Sequence, residues 1–360
     1  MMKKIANTLI ICAFAFLASA QIKSKNNTPP SIIFLIGDGM GIAQISAGHY
    51  FGGENSIFNI FDKIGLIRTH SKTNKVTDSA GASTAFATGQ KSYNRSIGVD
   101  VDSNKLSNIT EILSSYKYKS GLISISSITH ATPAGFYAHV KDRDLQEDIA
   151  LHMVGSKIDY FSGGGLKFFN KRADGKDLLL DLKSQNFHID SIQDYTQQLD
   201  KNKKYGFLLD EDGLSMDANE RNDFLAQSLR QGLAYFKAKS SPFFIMAEGS
   251  YIDWAGHRKD AEMMLKEQLD FEKAVKVAVD YVNKNPNTIL IVTGDHETGA
   301  VAVQKGKSAQ ELSITFGGDQ HTATMLPLFA YGKHAEKFTG MYENTDIFNR
   351  ILNMVKSYSK

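Results

Sequence analysis

Four carboxylates and three histidines have the types and placement to build a metal cluster: Asp38, Glu248, Asp253, His257, Asp295, His296 and His321. Asp253 and His257 are four residues apart, so on a helix they share one face. Alone, that spacing more often marks a surface ion pair. Asp295 and His296 are adjacent, and on a continuing strand they would point to opposite faces. At a strand end turning into a loop, both can converge on one ion. His321 follows Gly-Gly-Asp-Gln and precedes an apolar stretch, where a buried histidine satisfied by backbone is the plainer reading. The set contains no thiol. Such nitrogen and oxygen donors suit zinc, with magnesium at the all-oxygen end. They are too many for one ion, so two or three ions are expected, an arrangement that suits phosphoryl chemistry.

A cluster of that kind needs a nucleophile, either water or a side chain. The stretch VTDSAGASTAFATG, Val76 to Gly89, sets Thr77, Ser79, Ser83, Thr84 and Thr88 among Ala and Gly. It is compatible with a helix, and its small residues would let that helix lie close to a sheet. Ser79 falls at the N-cap or in the first turn. Backbone N–H groups and the helix dipole there favour an alkoxide or a bound phosphate. Ser83 and Thr84 lie a turn further in, where bonds to backbone carbonyls are expected. The residues to this point allow Ser79 to be a plain cap or a nucleophile.

Four apolar runs deliver these polar groups. Ile32 to Ile36 ends at Asp38, and Leu122 to Ile125 leads to His130 and Thr132. Phe243 to Met246 precedes Glu248, Asp253 and His257, and Ile289 to Val292 precedes Asp295 and His296. Short runs rich in β-branched or aromatic residues read as strands covered on both faces. Helical periodicity spans Asn222–Ala238 and Asp260–Lys284. Strands alternating with helices predict an α/β fold, a three-layer sandwich with a central, mostly parallel sheet flanked by helices. In such sheets ligands bind beyond the carboxyl ends of the strands, which is where every one of these polar groups falls.

The composition is that of an ordinary globular chain: 360 residues, 42% hydrophobic, 22% charged, net charge +2. Lys and Arg are scattered, so there is no nucleic-acid-binding signature. Residues 1–20 carry Lys3 and Lys4, an apolar run from Ile5 to Leu17, and Ala18-Ser19-Ala20. That is the pattern of a secretory signal cleaved after Ala20, and an exported, periplasmic or secreted product is expected. The single cysteine, Cys12, lies inside it, so disulfides are not expected after cleavage. Residues 21–30 read as a flexible arm. No later run is long and apolar enough to span a membrane.

With these residues in place, the chain resembles the metal-dependent alkaline phosphatases. The blocks are IGDGMG, TDSAGASTAFATGQKSYNRSIGVD, THATPAGFYAHVKDR, DYFSGGG, AEGSYIDWAGH, TGDHETG and HTATMLPLFAYG, in family order over most of the chain after residue 30. The resemblance implies one catalytic domain over 31–360. The polar stretch around 167–221 matches the family only weakly and is expected to form a small surface insertion beside the site. It implies that Ser79 is the nucleophile and forms a phosphoserine, and that Arg143 grips two phosphate oxygens. It implies two zinc ions, one on Asp253, His257 and His321, the other on Asp38, Asp295 and His296. A magnesium ion is implied on Asp38, Thr132 and Glu248, with Asp38 shared. The substrates implied are small phosphomonoesters, with inorganic phosphate as product. Asp78 is expected to orient Arg143 through an ion pair.

Two positions depart from part of the family. His130, just outside the magnesium shell, stands where some members have Asp. Trp254 stands where some have Lys, so no positive charge is expected there. The short stretch between His296 and His321 leaves a homodimer open, because many relatives carry a longer insertion there at the subunit interface. A phosphodiesterase or sulfatase of the same superfamily is the alternative enzyme. Arg143 weighs against the first, and Ala80-Gly81-Ala82 after Ser79 weighs against the second. A catalytically silent metal- or phosphate-binding protein would have lost at least one of these groups, and none is missing.

Overall fold

The computed structural model describes residues 28–53 and 55–358. The secretory segment expected at 1–20, and residues 21–27 of the arm, lie outside the described residues. The strands are β1 (Ser31–Gly37), β2 (Lys63–Arg68), β3 (Lys119–Ser127), β4 (Ile158–Gly164), β5 (Phe187–Asp190), β6 (Lys204–Leu208), β7 (Phe243–Gly249), β8 (Thr288–Gly294), β9 (Glu297–Thr298), β10 (Val301–Val303), β11 (Ile314–Phe316), β12 (His321–Thr322), β13 (Leu326–Gly332) and β14 (Gly340–Glu343). Ten of them form one sheet in the order β14-β2-β13-β8-β1-β7-β3-β4-β6-β5. Only β13 runs against its neighbours, so the sheet is mostly parallel, as the sequence predicts.

Side chains alternate between the two faces of this sheet. Ile32, Phe34 and Ile36 of β1 pack into one core, and Ile33 and Leu35 into the other. Each face is roofed by helices. One face carries α2 (Ser79–Thr88) and α6 (Thr345–Lys356). The other carries α1 (Ile42–Phe51), α3 (Phe224–Lys239), α4 (Tyr251–Arg258) and α5 (Ala261–Lys284). The helical period read at Asp260–Lys284 is α5, with Asp260 as its cap accepting from the Met263 N–H at 3.0 Å.

The stretch 167–221 differs from the expectation of surface elements beside the site. It supplies β5 and β6, which extend the main sheet at one edge, and Phe187, Tyr205, Phe207 and Leu208 are buried there. It is thus part of the sheet, not an insertion laid over it. The edge strand β5 alternates buried and exposed residues (Phe187, His188, Ile189, Asp190), so it lacks the continuous apolar run that marks the central strands.

Candidate active site

The carboxyl ends of β1, β7, β8 and β3 meet the N-terminus of α2. Asp38 follows β1 in a turn where Gly39 has φ +74°, and a Cβ on Gly39 would lie 2.6 Å from Asp253 Cα. Only glycine fits both the backbone and that approach. Asp38, Glu248, Asp295 and His296 are fully buried. The adjacent pair does converge: His296 Nε2 lies 3.2 Å from Asp295 Oδ2 and 3.4 Å from Asp38 Oδ1. Asp295 Oδ1 is held by the Gly39 and His296 N–H groups at 3.1 and 2.9 Å, so Oδ2 is the oxygen presented to the site.

Asp253 and His257 share a face of α4, with Oδ2 and Nε2 3.3 Å apart. His321 arrives on β12, its Nε2 3.4 Å from Asp253 Oδ1 and 3.2 Å from His257 Nε2. Both imidazoles use Nδ1 on backbone carbonyls: His257 on Asp319 O at 2.6 Å, His321 on Thr77 O at 3.0 Å. Nδ1–H donation fixes the tautomer and leaves two Nε2 lone pairs aimed at one point, which is how ligating histidines are held.

Three donor groups each converge closely enough to hold an ion: Asp253 with His257 and His321; Asp38 with Asp253 and His296; and Asp38 with His130 and Glu248. Asp253 thus approaches the second group, where the resemblance puts Asp295, and His130 enters the third, where it puts Thr132. Among the described residues, buried oxygens without a hydrogen-bond partner collect here: both Asp38 oxygens, Asp295 Oδ2, Glu248 Oε1 and Thr132 Oγ1. Buried polar atoms are normally paired, so this group of orphans fits a set of cation ligands.

The electrostatics agree. Burial, then the charges of Asp295, Asp253 and Glu248, hold Asp38 well above the usual carboxylate range. Burial and Asp253 push Asp295 up to about 6. Burial opposes ionisation of Asp253, but hydrogen bonds from His257 and His321 win and hold it well below its ordinary value. The bond to Asp253 raises His257 to about 9. Several acids crowded this way are ionised together only when positive charge is supplied.

Ser79 is the first residue of α2, and Asp78 is its cap, accepting the Gly81 N–H at 2.9 Å. Ser79 is therefore not the cap. Its Oγ is buried 3.3 Å from His296 Nε2. The neighbouring hydroxyls serve packing. Ser83 donates to Ala80 O and Ala131 O, Thr84 to Ser96 O, and Thr88 to Thr84 O. Arg143 reaches the same end of α2, its Nη1 donating to Asp78 Oδ2 at 3.1 Å and its Nη2 3.3 Å from His130 Nε2. The expected Asp78–Arg143 pair is present. Burial, then the Arg143 charge, depresses His130 to about 3, so it is neutral and accepts from Arg143. Trp254 stands beside His130 with ring centroids 6.2 Å apart, and no cation occupies its place.

Thr298 escaped notice in the sequence, although it lies two residues past His296. Its hydroxyl donates to Asp253 Oδ1 and lies 3.2 Å from His296 Nδ1. A hydroxyl has one hydrogen. With that hydrogen on a carboxylate, Thr298 accepts from His296 Nδ1–H and leaves Nε2 free toward Asp38, Asp295 and Ser79. Ser124 was missed too: its hydroxyl donates to Glu248 Oε2 at 2.5 Å. The signal was a serine at alternate positions of an otherwise apolar strand.

Known proteins resemble this chain in sequence and fold. A family model described as alkaline phosphatase matches residues 30–315. Alkaline phosphatase 4 of Bacillus subtilis (strain 168) is 28% identical over 94% of this chain and 91% of its own length. Alkaline phosphatase 3 of the same organism is 33% identical over 79% of this chain and 65% of its own length. The solved alkaline phosphatase from the Antarctic bacterium TAB5 is 42% identical, with a TM-score of 0.88, covering 91% of this chain and 99% of that one. A histidine-to-aspartate mutant of that enzyme, equally similar at 42% identity and a TM-score of 0.88 over 91% of this chain and 98% of that one, is described with magnesium bound in its M3 site.

Proposed function

This chain belongs to the alkaline phosphatase family, and from that premise we propose that it hydrolyses phosphomonoesters with Ser79 as the nucleophile, by way of a phosphoserine. One placement carries the reading: Ser79 Oγ sits at a helix N-terminus, 3.3 Å from His296 Nε2 and next to the residue that holds Arg143. Asp253, His257 and His321 would hold one zinc ion, and Asp38, Asp295 and His296 a second. Asp38, Thr132 and Glu248 would hold magnesium. When bound, these cations supply the positive charge that the crowded carboxylates and the phosphoryl oxygens require.

The chain's own groups do the rest. Ser79 Oγ bonds to phosphorus as the ester oxygen departs, giving the free alcohol and the phosphoserine. Water then attacks phosphorus from the vacated side, and inorganic phosphate leaves with Ser79 restored. Arg143 has five N–H hydrogens, of which Asp78 and His130 engage one on each terminal nitrogen. One hydrogen on each terminal nitrogen remains for a pair of non-bridging phosphate oxygens. A diester offers one fewer such oxygen, which favours the monoester over the diester reading. The amino-terminal pattern of residues 1–20 supports export, so phosphate esters outside the cytoplasm are the proposed substrates.

The test compares p-nitrophenyl phosphate with bis-p-nitrophenyl phosphate. The wild type is expected to favour the monoester strongly. Arg143→Ala is expected to lower monoester kcat/KM by about 10²–10³-fold, the range for losing one transition-state donor, and to change diester hydrolysis less. Equal losses on both substrates would contradict the role given to Arg143.

His130 sets a second expectation. Magnesium prefers charged oxygen ligands, and His130 is neutral. His130→Asp is expected to tighten magnesium binding by about tenfold or more, measured by titrating magnesium into zinc-loaded protein.

A further inference from the structure

Three serines lie together beneath Glu248. Ser124 and Ser126 occupy one face of β3, and Ser250 follows β7, all with at most 1% exposure. Their hydroxyls form a triangle: Ser124 to Ser126 at 2.9 Å, Ser124 to Ser250 at 3.2 Å, and Ser250 donating to Ser126 at 3.1 Å. The triangle has two further bonds. The Ser126 N–H donates to Ser250 Oγ at 3.2 Å, and Ser124 Oγ donates to Glu248 Oε2 at 2.5 Å.

Three hydroxyls carry three hydrogens, and Glu248, ionised as a cation ligand, can only accept. The Ser124 hydrogen is therefore committed to Glu248. Ser250 donates to Ser126, so Ser126 donates to Ser124. One direction results: Ser126 N–H to Ser250, to Ser126 Oγ, to Ser124, to Glu248 Oε2. Bonds aligned head to tail polarise one another. Glu248 Oε2 is engaged by this chain, while Oε1 is buried with no partner. Asp38, with both oxygens unpartnered, and Thr132, with its hydroxyl unpartnered, share the same buried region.

We propose that Ser124, backed by Ser126 and Ser250, is a positioning residue that makes Glu248 present a single oxygen, Oε1, to the third cation. This rests on the reading of Asp38, Thr132 and Glu248 as a magnesium site. A small cation with strict octahedral geometry needs its carboxylates fixed in one mode, and partners behind a ligand commonly set its affinity. The hydroxyls are also neutral, so they fix the carboxylate without competing with the cation for it.

The experiment titrates magnesium calorimetrically into zinc-loaded wild type, Ser124→Ala and Ser250→Ala, with zinc content measured on each. Ser124→Ala is expected to bind magnesium about 10–100-fold more weakly while keeping the zinc content of the wild type. Ser250→Ala removes the head of the chain but not the last bond, and a smaller weakening in the same direction is expected. Unchanged magnesium affinity in Ser124→Ala overturns the proposal, as does parallel loss of zinc and magnesium, which marks a merely structural role. If Ser124→Ala does not fold, Ser250→Ala decides, and unchanged affinity there overturns the relay. A wild type that binds zinc but no magnesium removes the magnesium site itself and the proposal with it, an outcome distinct from a wild type and a Ser124→Ala variant that bind magnesium equally.

Discussion

Ser79→Ala is expected to cut p-nitrophenyl phosphate turnover by about 10⁴-fold or more, as when a nucleophile that works as a unit with its neighbours is removed. The fold should survive. Ser79 is the first residue of α2 but not its cap, and the capping bond runs from Gly81 to Asp78. Alanine is a good helix residue, and among the described residues the Ser79 hydroxyl's hydrogen-bond contact is the 3.3 Å one to His296 Nε2. The loss should therefore fall on kcat, with zinc content and melting temperature near those of the wild type. A chemical readout accompanies the kinetic one. Wild type quenched in acid during turnover should carry phosphate on Ser79, and the variant should carry none. If the variant kept more than a few per cent of wild-type turnover, water rather than Ser79 would be the attacking group.

The central strands, the long helices and the polar groups at the strand ends were legible in the sequence for one physical reason. A strand buried on both faces must be a short continuous apolar run, and β1, β7 and β8 are that. Residues just past the carboxyl end of such a run in a parallel sheet face the ligand crevice, so Asp38, Glu248 and Asp295 announced themselves by position. The edge strands β5 and β6 did not, because β5 is exposed on one side and its composition is diluted by His188 and Asp190. The residues that hold the candidate ligands were also hidden. Thr298 and Ser124 act through one hydroxyl hydrogen each, and nothing in the chain separates such a hydroxyl from Ser83 or Thr88, which bond to backbone carbonyls. Direction of donation is a property of the assembled site. Ser79 shows the boundary between the two cases: its place near the end of a helix could be read, but whether it or Asp78 capped that helix could not.

Stripping the metals is expected to abolish activity, by about 10⁴-fold or more if each of two ions supplies several kcal/mol of transition-state stabilisation. Stability should respond as well, with a diagnostic pH dependence. Without cations, a proton on His257 takes the place of positive charge beside Asp253. The bond to Asp253 raises His257 to about 9. Burial, the largest single influence on His321, lowers it, but the bond and charge of Asp253, the Thr77 carbonyl and the Asp295 charge together outweigh burial and raise it in the same sense. A base raised above its unfolded value of about 6.5 contributes stability that is complete below that pH and lost as pH rises through the folded value. The chelated protein should thus lose melting temperature between about pH 6.5 and 9. Asp38, raised well above the carboxylate range chiefly by burial, works in the same direction wherever it still holds its proton. On the acid side the senses conflict: Asp295 is raised to about 6 while His130 is depressed to about 3. The alkaline window is therefore the informative one. If His257 and His321 hold zinc as proposed, their Nε2 lone pairs go to the metal in zinc-loaded protein, so no proton is left to lose and the melting temperature should stay flat across that window. Differential scanning of chelated and zinc-loaded samples from pH 6 to 10 makes the comparison. Parallel curves for the two samples would show that Asp253, His257 and His321 do not hold the ion. Divergence only above pH 6.5 would mean that the cation and the proton compete for the same nitrogen atoms, and that at alkaline pH only the cation can neutralise Asp253.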